Sequence, residues 1–252
     1  MPLQSVLNRF TRQSERRALP EGVRVYAVGD IHGRSDLLDL LLAQIARDAE
    51  ARGPAELHTI FLGDLVDRGP DSRGVVERLM AFARTHERTR FLMGNHEEVF
   101  LKALGGDLRA LRFFSRIGGR ETMLSYGMSE AEYRGLDYEP LLHRLQALVP
   151  ADHAAFLSAF EDWIEIGDYL FVHAGIRPGR PLEEQSVGDL RWIREEFLDH
   201  GESFGKLVVH GHSITREVDQ RPNRIGIDTG AYASGRLTAI GLEGESRWFL
   251  ST

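Results

Sequence analysis

The sequence predicts an α/β fold with parallel strand pairing, and three observations predict it. Short apolar, β-branched runs alternate with longer segments of helical periodicity between residues 23 and 94. Each of the first three runs ends at a glycine followed directly by Asp or Asn. The helical segments between them are long enough to carry the chain back across a sheet, which a parallel neighbour requires.

Taken in order, residues 23–28 form a β-branched run that stops at Gly29. Residues 36–52 then show helical periodicity, with leucines at 37, 38, 41 and 42. Residues 59–62 give the second strand, ending at Gly63. Residues 71–85 give the second helix, with Val75, Val76, Leu79, Met80 and Phe82 on its apolar side. Residues 90–93 give the third strand, ending at Gly94. Strand signals are few over residues 97–160, where Gly105-Gly106, Gly118-Gly119, Gly127 and Pro150 punctuate a mostly helical stretch. We expect it to be an insertion packed beside the sheet, within one domain spanning residues 23–252. Residues 169–172, 207–209, 225–227, 237–242 and 247–250 then read as strands, and residues 190–197 as the one helical pattern among them. Residues 1–22 are polar and basic, end at Pro20-Glu21-Gly22, and read as a flexible arm.

Composition narrows the chemistry. The 252 residues suffice for a substantial core, and 42% hydrophobic with 27% charged residues is ordinary for a globular chain. Lys plus Arg number 31 against 38 Asp plus Glu, and a net charge of -7 is a poor footprint for nucleic acid, so none is expected as a partner. There are no cysteines, which excludes thiolate nucleophiles, cysteine-ligated zinc and iron–sulfur clusters. Phosphate chemistry here must use activated water, Ser/Thr or a carboxylate. The most apolar stretch, residues 37–46, is interrupted by Asp39 and Gln44, and the basic first residues lack an apolar secretory core. A cytoplasmic protein without a membrane partner is expected.

The informative residues lie just beyond each apolar run. The runs lead into Gly29-Asp30-Ile31-His32-Gly33, Gly63-Asp64-Leu65-Val66-Asp67-Arg68-Gly69, Gly94-Asn95-His96-Glu97, His173-Ala174-Gly175 and His210-Gly211-His212. Ligands of α/β sheets bind beyond the carboxyl ends of strands, so these five clusters are expected to converge. A lone Asp or Asn before a turn is ordinarily a cap, and a lone His ordinarily structural. Five in succession at strand ends are hard to explain that way. Carboxylate, amide and imidazole together suit manganese, iron or zinc better than calcium. Their number suits two metals sharing one carboxylate.

The first three of these motifs resemble the signature motifs of the phosphoprotein phosphatase family of metallophosphoesterases, and His173 and Gly211-His212 stand where its later histidines belong. Trp192-Ile193-Arg194 and Ile227-Asp228-Thr229-Gly230-Ala231 are similar to the compact bacterial and bacteriophage serine/threonine branch. The resemblance implies a calcineurin-like fold, a central β-sandwich flanked by helices. It also implies two divalent metal ions, manganese in the first place and iron or zinc otherwise. Asp30, His32 and Asp64 would hold one, and Asp64, Asn95, His173 and His212 the other. The family ligand follows the glycine, which favours His212 over His210.

On this reading Arg68 and Arg194 grip the phosphate, and a hydroxide bridging the metals attacks phosphorus in line. His96 protonates the leaving group while Asp67 orients it. Tyr232 would edge the site. The expected activity is a serine/threonine-type protein phosphatase acting on a phosphoprotein or phosphopeptide; the alternative is a symmetrical dinucleoside tetraphosphate hydrolase. Arg109, Arg112, Arg116 and Arg120 recur at spacings of three and four and could share one helix face beside the substrate groove, unless they are an ordinary solvated face or Gly118-Gly119 breaks the helix before Arg120.

Overall fold

The computed structural model describes residues 17–252, so residues 1–16 of the expected arm lie outside the described residues. Strand β1 (Val23–Val28) is followed by helix α1 (Ser35–Arg52), β2 (Glu56–Phe61), α2 (Ser72–Thr85) and β3 (Thr89–Phe91). Both pairings are parallel, with Val23 opposite Glu56 and Thr59 opposite Thr89. Asp71 starts α2 as its N-cap, its carboxylate accepting from Gly74 N.

Six helices follow: α3 (Asn95–Leu104), α4 (Leu108–Ile117), α5 (Gly119–Ser125), α6 (Glu130–Gly135), α7 (Tyr138–Leu148) and α8 (Ala151–Ser158). Strands β4 (Trp163–Ile166) and β5 (Tyr169–Val172) lead to α9 (Val187–Trp192) and α10 (Glu195–Leu198). The chain closes with β6 (Leu207–His210), β7 (Asp219–Gln220), β8 (Arg224–Gly226), α11 (Ala231–Ser234), β9 (Thr238–Glu243) and β10 (Ser246–Ser251).

Two five-stranded sheets result, ordered β10-β9-β1-β2-β3 and β4-β5-β6-β8-β7. Successive side chains of a strand point to opposite faces, and here each face has its own apolar partner. Val25, Ala27 and Ile60 meet Phe171, Val209 and Ile225 of the other sheet in the sandwich interior. Tyr26, Val28 and Phe61 face outward onto α1, α2 and the helical stretch. Leu170, Val172 and Val208 bury Leu190 and Phe197 on the opposite flank. The β-sandwich flanked by helices is the architecture the resemblance implies.

Three expectations need correction, and one left open is decided. Pairing is mixed: β9 and β10 join through a short turn at Gly244, and a connection of that length makes only an antiparallel neighbour. Strands β4 and β7, unanticipated, add antiparallel edges to the second sheet. The helix expected over residues 190–197 breaks at Ile193-Arg194, which places Arg194 at the start of α10 rather than inside a helix. Gly118, at φ +119°, separates α4 from α5, so Arg120 leaves the face of Arg109, Arg112 and Arg116. Arg120 instead pairs with Glu121 and Glu130, and Arg112 covers the Tyr138 ring at 5.0 Å.

At the near end of the arm, Leu19 is buried against the sandwich. Ala18 N donates to the Asp168 carboxylate at 3.0 Å and Leu19 N to Gly244 O at 2.9 Å, so these residues are fastened rather than free. Among the described residues no helix is long and apolar enough to cross a membrane.

The carboxyl ends of β1, β2, β3, β5, β6 and β8 converge where the two sheets meet. The contact there is close: a Cβ at Gly29 would lie 2.6 Å from Ile227 O. Gly29→Ala is therefore expected to wedge the sheets apart and cost about 2 kcal/mol, the order of an overpacked core. Urea unfolding would check this, and an unchanged midpoint would show that the sheets yield there.

Candidate metal centre

The loop between β2 and α2 carries the centre and needs unusual backbone. Asp64 (φ +50°), Asp67 (φ +73°) and Arg68 (φ +67°) lie in the left-handed region, as do His32 (φ +46°) and His212 (φ +61°). These are the non-glycine residues with positive φ among the described residues, and every one faces the centre. Such backbone costs about 1–3 kcal/mol per residue and persists only where its surroundings enforce it. Here Glu97 does so. Its buried carboxylate accepts from Asp64 N (2.8 Å) and Gly94 N (3.1 Å) on one oxygen and from Leu65 N (2.8 Å) and Val66 N (3.2 Å) on the other.

Two triads of side chains then share Asp64. His32, Asp64 and His96 bring their ligand atoms within 4.8 Å of one another, and so do Asp64, His173 and His212. Asp64 Oδ2 lies 3.6 Å from His32 Nε2, and Oδ1 lies 3.4 Å from His173 Nε2. The rings are fixed from behind: His32 Nδ1 lies 2.8 Å from Val66 O, and His173 Nδ1 lies 2.7 Å from Leu62 O. A proton on each Nδ1 leaves both Nε2 lone pairs facing the centre, the tautomer a metal ligand needs.

The electrostatics fit cations. Burial would raise the Asp64 carboxyl, but the imidazoles of His173, His96, His32 and His212 outweigh it and hold Asp64 well below its usual range. Burial lowers His32 to about 3 and His212 to about 2, keeping both rings neutral. Burial, then the nearby Asp228 and Asp64 carboxylates, push Asp30 well up. Burial likewise pushes Asp228 to about 6 and Glu97 to about 7. Carboxylates crowded this closely call for positive charge. Asn95 Oδ1 lies 3.0 Å from His173 Nε2, two acceptors facing each other when His173 carries its proton on Nδ1, and the buried His212 Nε2 and Asp228 Oδ2 have no hydrogen-bond partner among the described residues. Shared cations would satisfy all of these atoms, so the Asp and His cluster fits a metal site.

Beside the triads, His96 Nδ1 meets Asp67 Oδ2 at 2.6 Å. Burial alone would lower His96, yet the Asp64 and Asp67 carboxylates raise it. Thr122 of α5 donates to Asp67 Oδ1 at 2.6 Å, and Ser72 and Thr122 both accept from Asp67 N. Gly118 O accepts from Arg68 N at 3.1 Å, so the helical stretch grips the loop twice. The Arg68 guanidinium donates to His32 Nε2 and His96 Nε2 at 2.9 Å and lies 5.0 Å from the Tyr232 ring. Arg194 reaches in from the break before α10, 3.4 Å from Ser213 Oγ.

The structure thus brings Asp30, His32, Asp64, Asp67, Arg68, Asn95, His96, His173, Arg194 and His212 into one region. Three details add to the sequence reading. His96 completes the first triad, while the Asp30 carboxylate accepts from His212 N at 3.0 Å and so braces one sheet's loop against the other's. His210 stays out of both triads, its ring set edge-on to Phe197 at 5.0 Å. Three residues were missed. Asp228 follows its strand just as Asp30 and Asp64 follow theirs, with Gly230 two positions on, so its signal was present. Glu97 stood in a quoted motif without a role. Thr122 carried no signal.

A family profile described as calcineurin-like phosphoesterase matches residues 23–231. The chain is 26% identical over 234 residues to an asymmetrical bis(5'-nucleosyl)-tetraphosphatase of Anoxybacillus flavithermus, covering 84% of this chain and 88% of that one. It is 32% identical over 165 residues to a symmetrical bis(5'-nucleosyl)-tetraphosphatase of an Acidovorax species, covering 64% of this chain but 47% of the relative. A solved structure, provisionally named a diadenosine tetraphosphatase, superposes with a TM-score of 0.64 at 24% identity, covering 91% of this chain and 94% of that one.

Asp64→Asn is expected to lose cations from both triads, because each depends on that carboxylate. Metal analysis after loading with Mn²⁺ would read this, and full retention would contradict a shared ligand. In the chelated protein the raised pKa of Asp228 means that its protonated form favours the fold, and that contribution is lost as pH rises through about 6; Asp30 is shifted in the same direction. Bound cations favour the ionised forms, so the melting-temperature gap between loaded and chelated protein is expected to widen from pH 5.5 to 7.5. A gap independent of pH would count against cations in this cluster.

Proposed function

Because this chain belongs to the calcineurin-like phosphoesterase family, a family of metal-dependent hydrolases, we propose that it hydrolyses bis(5'-nucleosyl) tetraphosphates. What carries the reading is the relative named for that activity, which aligns over 84% of this chain and 88% of its own length. Relatives bearing this name support the dinucleotide over the phosphoprotein as substrate.

In this reading Asp30, His32 and Asp64 would hold one divalent cation, and Asp64, Asn95, His173 and His212 would hold the second. Cations at these positions supply Lewis-acid polarisation of phosphate oxygens and an activated nucleophile at neutral pH. The chain's own residues do the rest. The planar fork of Arg68, turned from His32 and His96 toward the substrate, would hold two phosphate oxygens and leave His96 Nε2 free to carry a proton, and Arg194 adds a second positive charge. Water adds to one phosphorus of the chain, a bridging P–O bond breaks, and the departing phosphate takes the electron pair. His96, kept protonated by Asp67 and Asp64, delivers a proton from Nε2 to that oxygen. Asp67 cannot rotate away, because Thr122 and its own backbone contacts fix it.

Side-by-side assays with Mn²⁺ on diadenosine tetraphosphate, a phosphoserine peptide and p-nitrophenyl phosphate test the proposal. The highest kcat/KM is expected for the tetraphosphate. ADP as sole product would mean symmetrical cleavage, and ATP with AMP asymmetrical cleavage. Preference for the phosphopeptide would replace this reading with a protein phosphatase.

Leaving-group chemistry gives a second check. His96→Asn is expected to cut kcat by about 10²–10³ for the phosphoserine peptide, whose alkoxide needs a proton. The loss should be smaller for the tetraphosphate, whose departing phosphate is a far weaker base. Equal losses for the two substrates, or loss of bound metal, would remove His96 from the role of acid.

A further inference from the structure

Next to the centre lies a cavity of about 560 Å³, within the range of small-molecule sites, that the mechanism above does not use. Its walls include Ile214, Arg216, Thr229, Gly230, Ala233 and Arg236. They belong to the two loops that also carry His212 and Asp228. Thr215 N donates to Asp228 O at 3.0 Å and Gly230 N to Asp228 Oδ1 at 2.9 Å, so the cavity wall and the centre are built on the same backbone.

The lining is chemically uneven. Ile214 is one of four large apolar side chains that stand open among the described residues, 49% exposed. It rests on Gly230, where a Cβ would come within 3.0 Å of Ile214 Cγ2, and glycine also suits the φ of +68° there. With Ala233 it makes an aliphatic wall. Most polar lining groups are already used: Arg236 pairs with Glu217 at 3.1 Å, Thr229 Oγ1 donates to Arg236 O, and Ser234 Oγ donates to Thr229 O. The Arg216 guanidinium is different, with no hydrogen bond or ion pair to any described residue. An open aliphatic wall beside an uncommitted guanidinium suits a flat apolar ring that carries an anionic group.

Resting on the dinucleotide reading above, we propose that this cavity is a nucleoside subsite. The base of one nucleotide lies against Ile214 and Ala233, and Arg216 meets a phosphate of the chain that leads to the cations. A phosphate without a nucleoside leaves the wall bare, so the subsite selects nucleotides over simple phosphates. Peptide side chains are the competing occupant.

The test compares ADP with pyrophosphate as inhibitors of p-nitrophenyl phosphate hydrolysis by the Mn²⁺-loaded protein. The two share a diphosphate and differ by the nucleoside. ADP is expected to bind at least tenfold more tightly, and Ile214→Asp and Arg216→Glu are each expected to bring the ratio of inhibition constants near one. The same ratio read from thermal shifts serves if p-nitrophenyl phosphate turns over too slowly, and melting curves confirm that both variants fold. Equal inhibition of the wild-type protein by both compounds overturns the subsite. So does an ADP advantage that survives both substitutions. A protein that prefers phosphopeptides yet keeps an ADP advantage sensitive to Ile214 and Arg216 refutes the proposed function while leaving the subsite standing.

Discussion

Four backbone N–H groups converge on the Glu97 carboxylate, and the centre depends on that bracket. Asp64 can face two triads only if its backbone turns through the left-handed region, where no β-carbon sits comfortably. Hydrogen bonds to a charged acceptor contribute about 1.5–3 kcal/mol each, enough together to offset the strain of at least two such residues. The carboxylate also lies in the first turn of α3, where the helix dipole favours negative charge. Helix start and strained loop therefore stabilise one another.

The centre is costly in a second way. Asp30, Asp64, Asp67, Glu97 and Asp228 are all buried, and the cations among them are Arg68 and, when protonated, His96. Burial disfavours ionised carboxylates, and only added positive charge relieves it. Folding thus assembles an anionic, strained cluster at the seam of two sheets, supported by an otherwise ordinary apolar sandwich. This division of labour is typical of sites that bind ions tightly: the scaffold supplies rigidity and the site spends it.

Much of this was legible in the chain. The parallel strands and first two helices announce themselves by period, and the recurrence of Gly with Asp, Asn or His beyond each apolar run locates the residues that converge on the centre. What escaped has a physical reason. The antiparallel strands β4 and β7 are short edges, and their pairing is decided by tertiary contact rather than local pattern. The helical reading across Arg194 failed because residues 190–197 keep an apolar period even though the chain breaks at Ile193 to bury that side chain beside Leu190 and Phe197. Of the readings open for the arginine run, the break at Gly118-Gly119 holds, because Gly118 adopts a left-handed conformation that ends α4. Asp228 bore the same signature as Asp30 and Asp64. Thr122 could be found only in space, since 55 residues separate it from the carboxylate it touches.

That last contact bears on how such a fold can be altered. The helical layer looks like a removable cover, free to vary with the substrate it frames. Instead one of its carbonyls and one of its hydroxyls are built into the loop that holds Asp67 against His96, through Gly118 and Thr122. Exchanging the layer wholesale between relatives would carry those two anchor points along with it, so the grafts that keep their chemistry should be those that preserve the α4–α5 elbow and vary the helices beyond it.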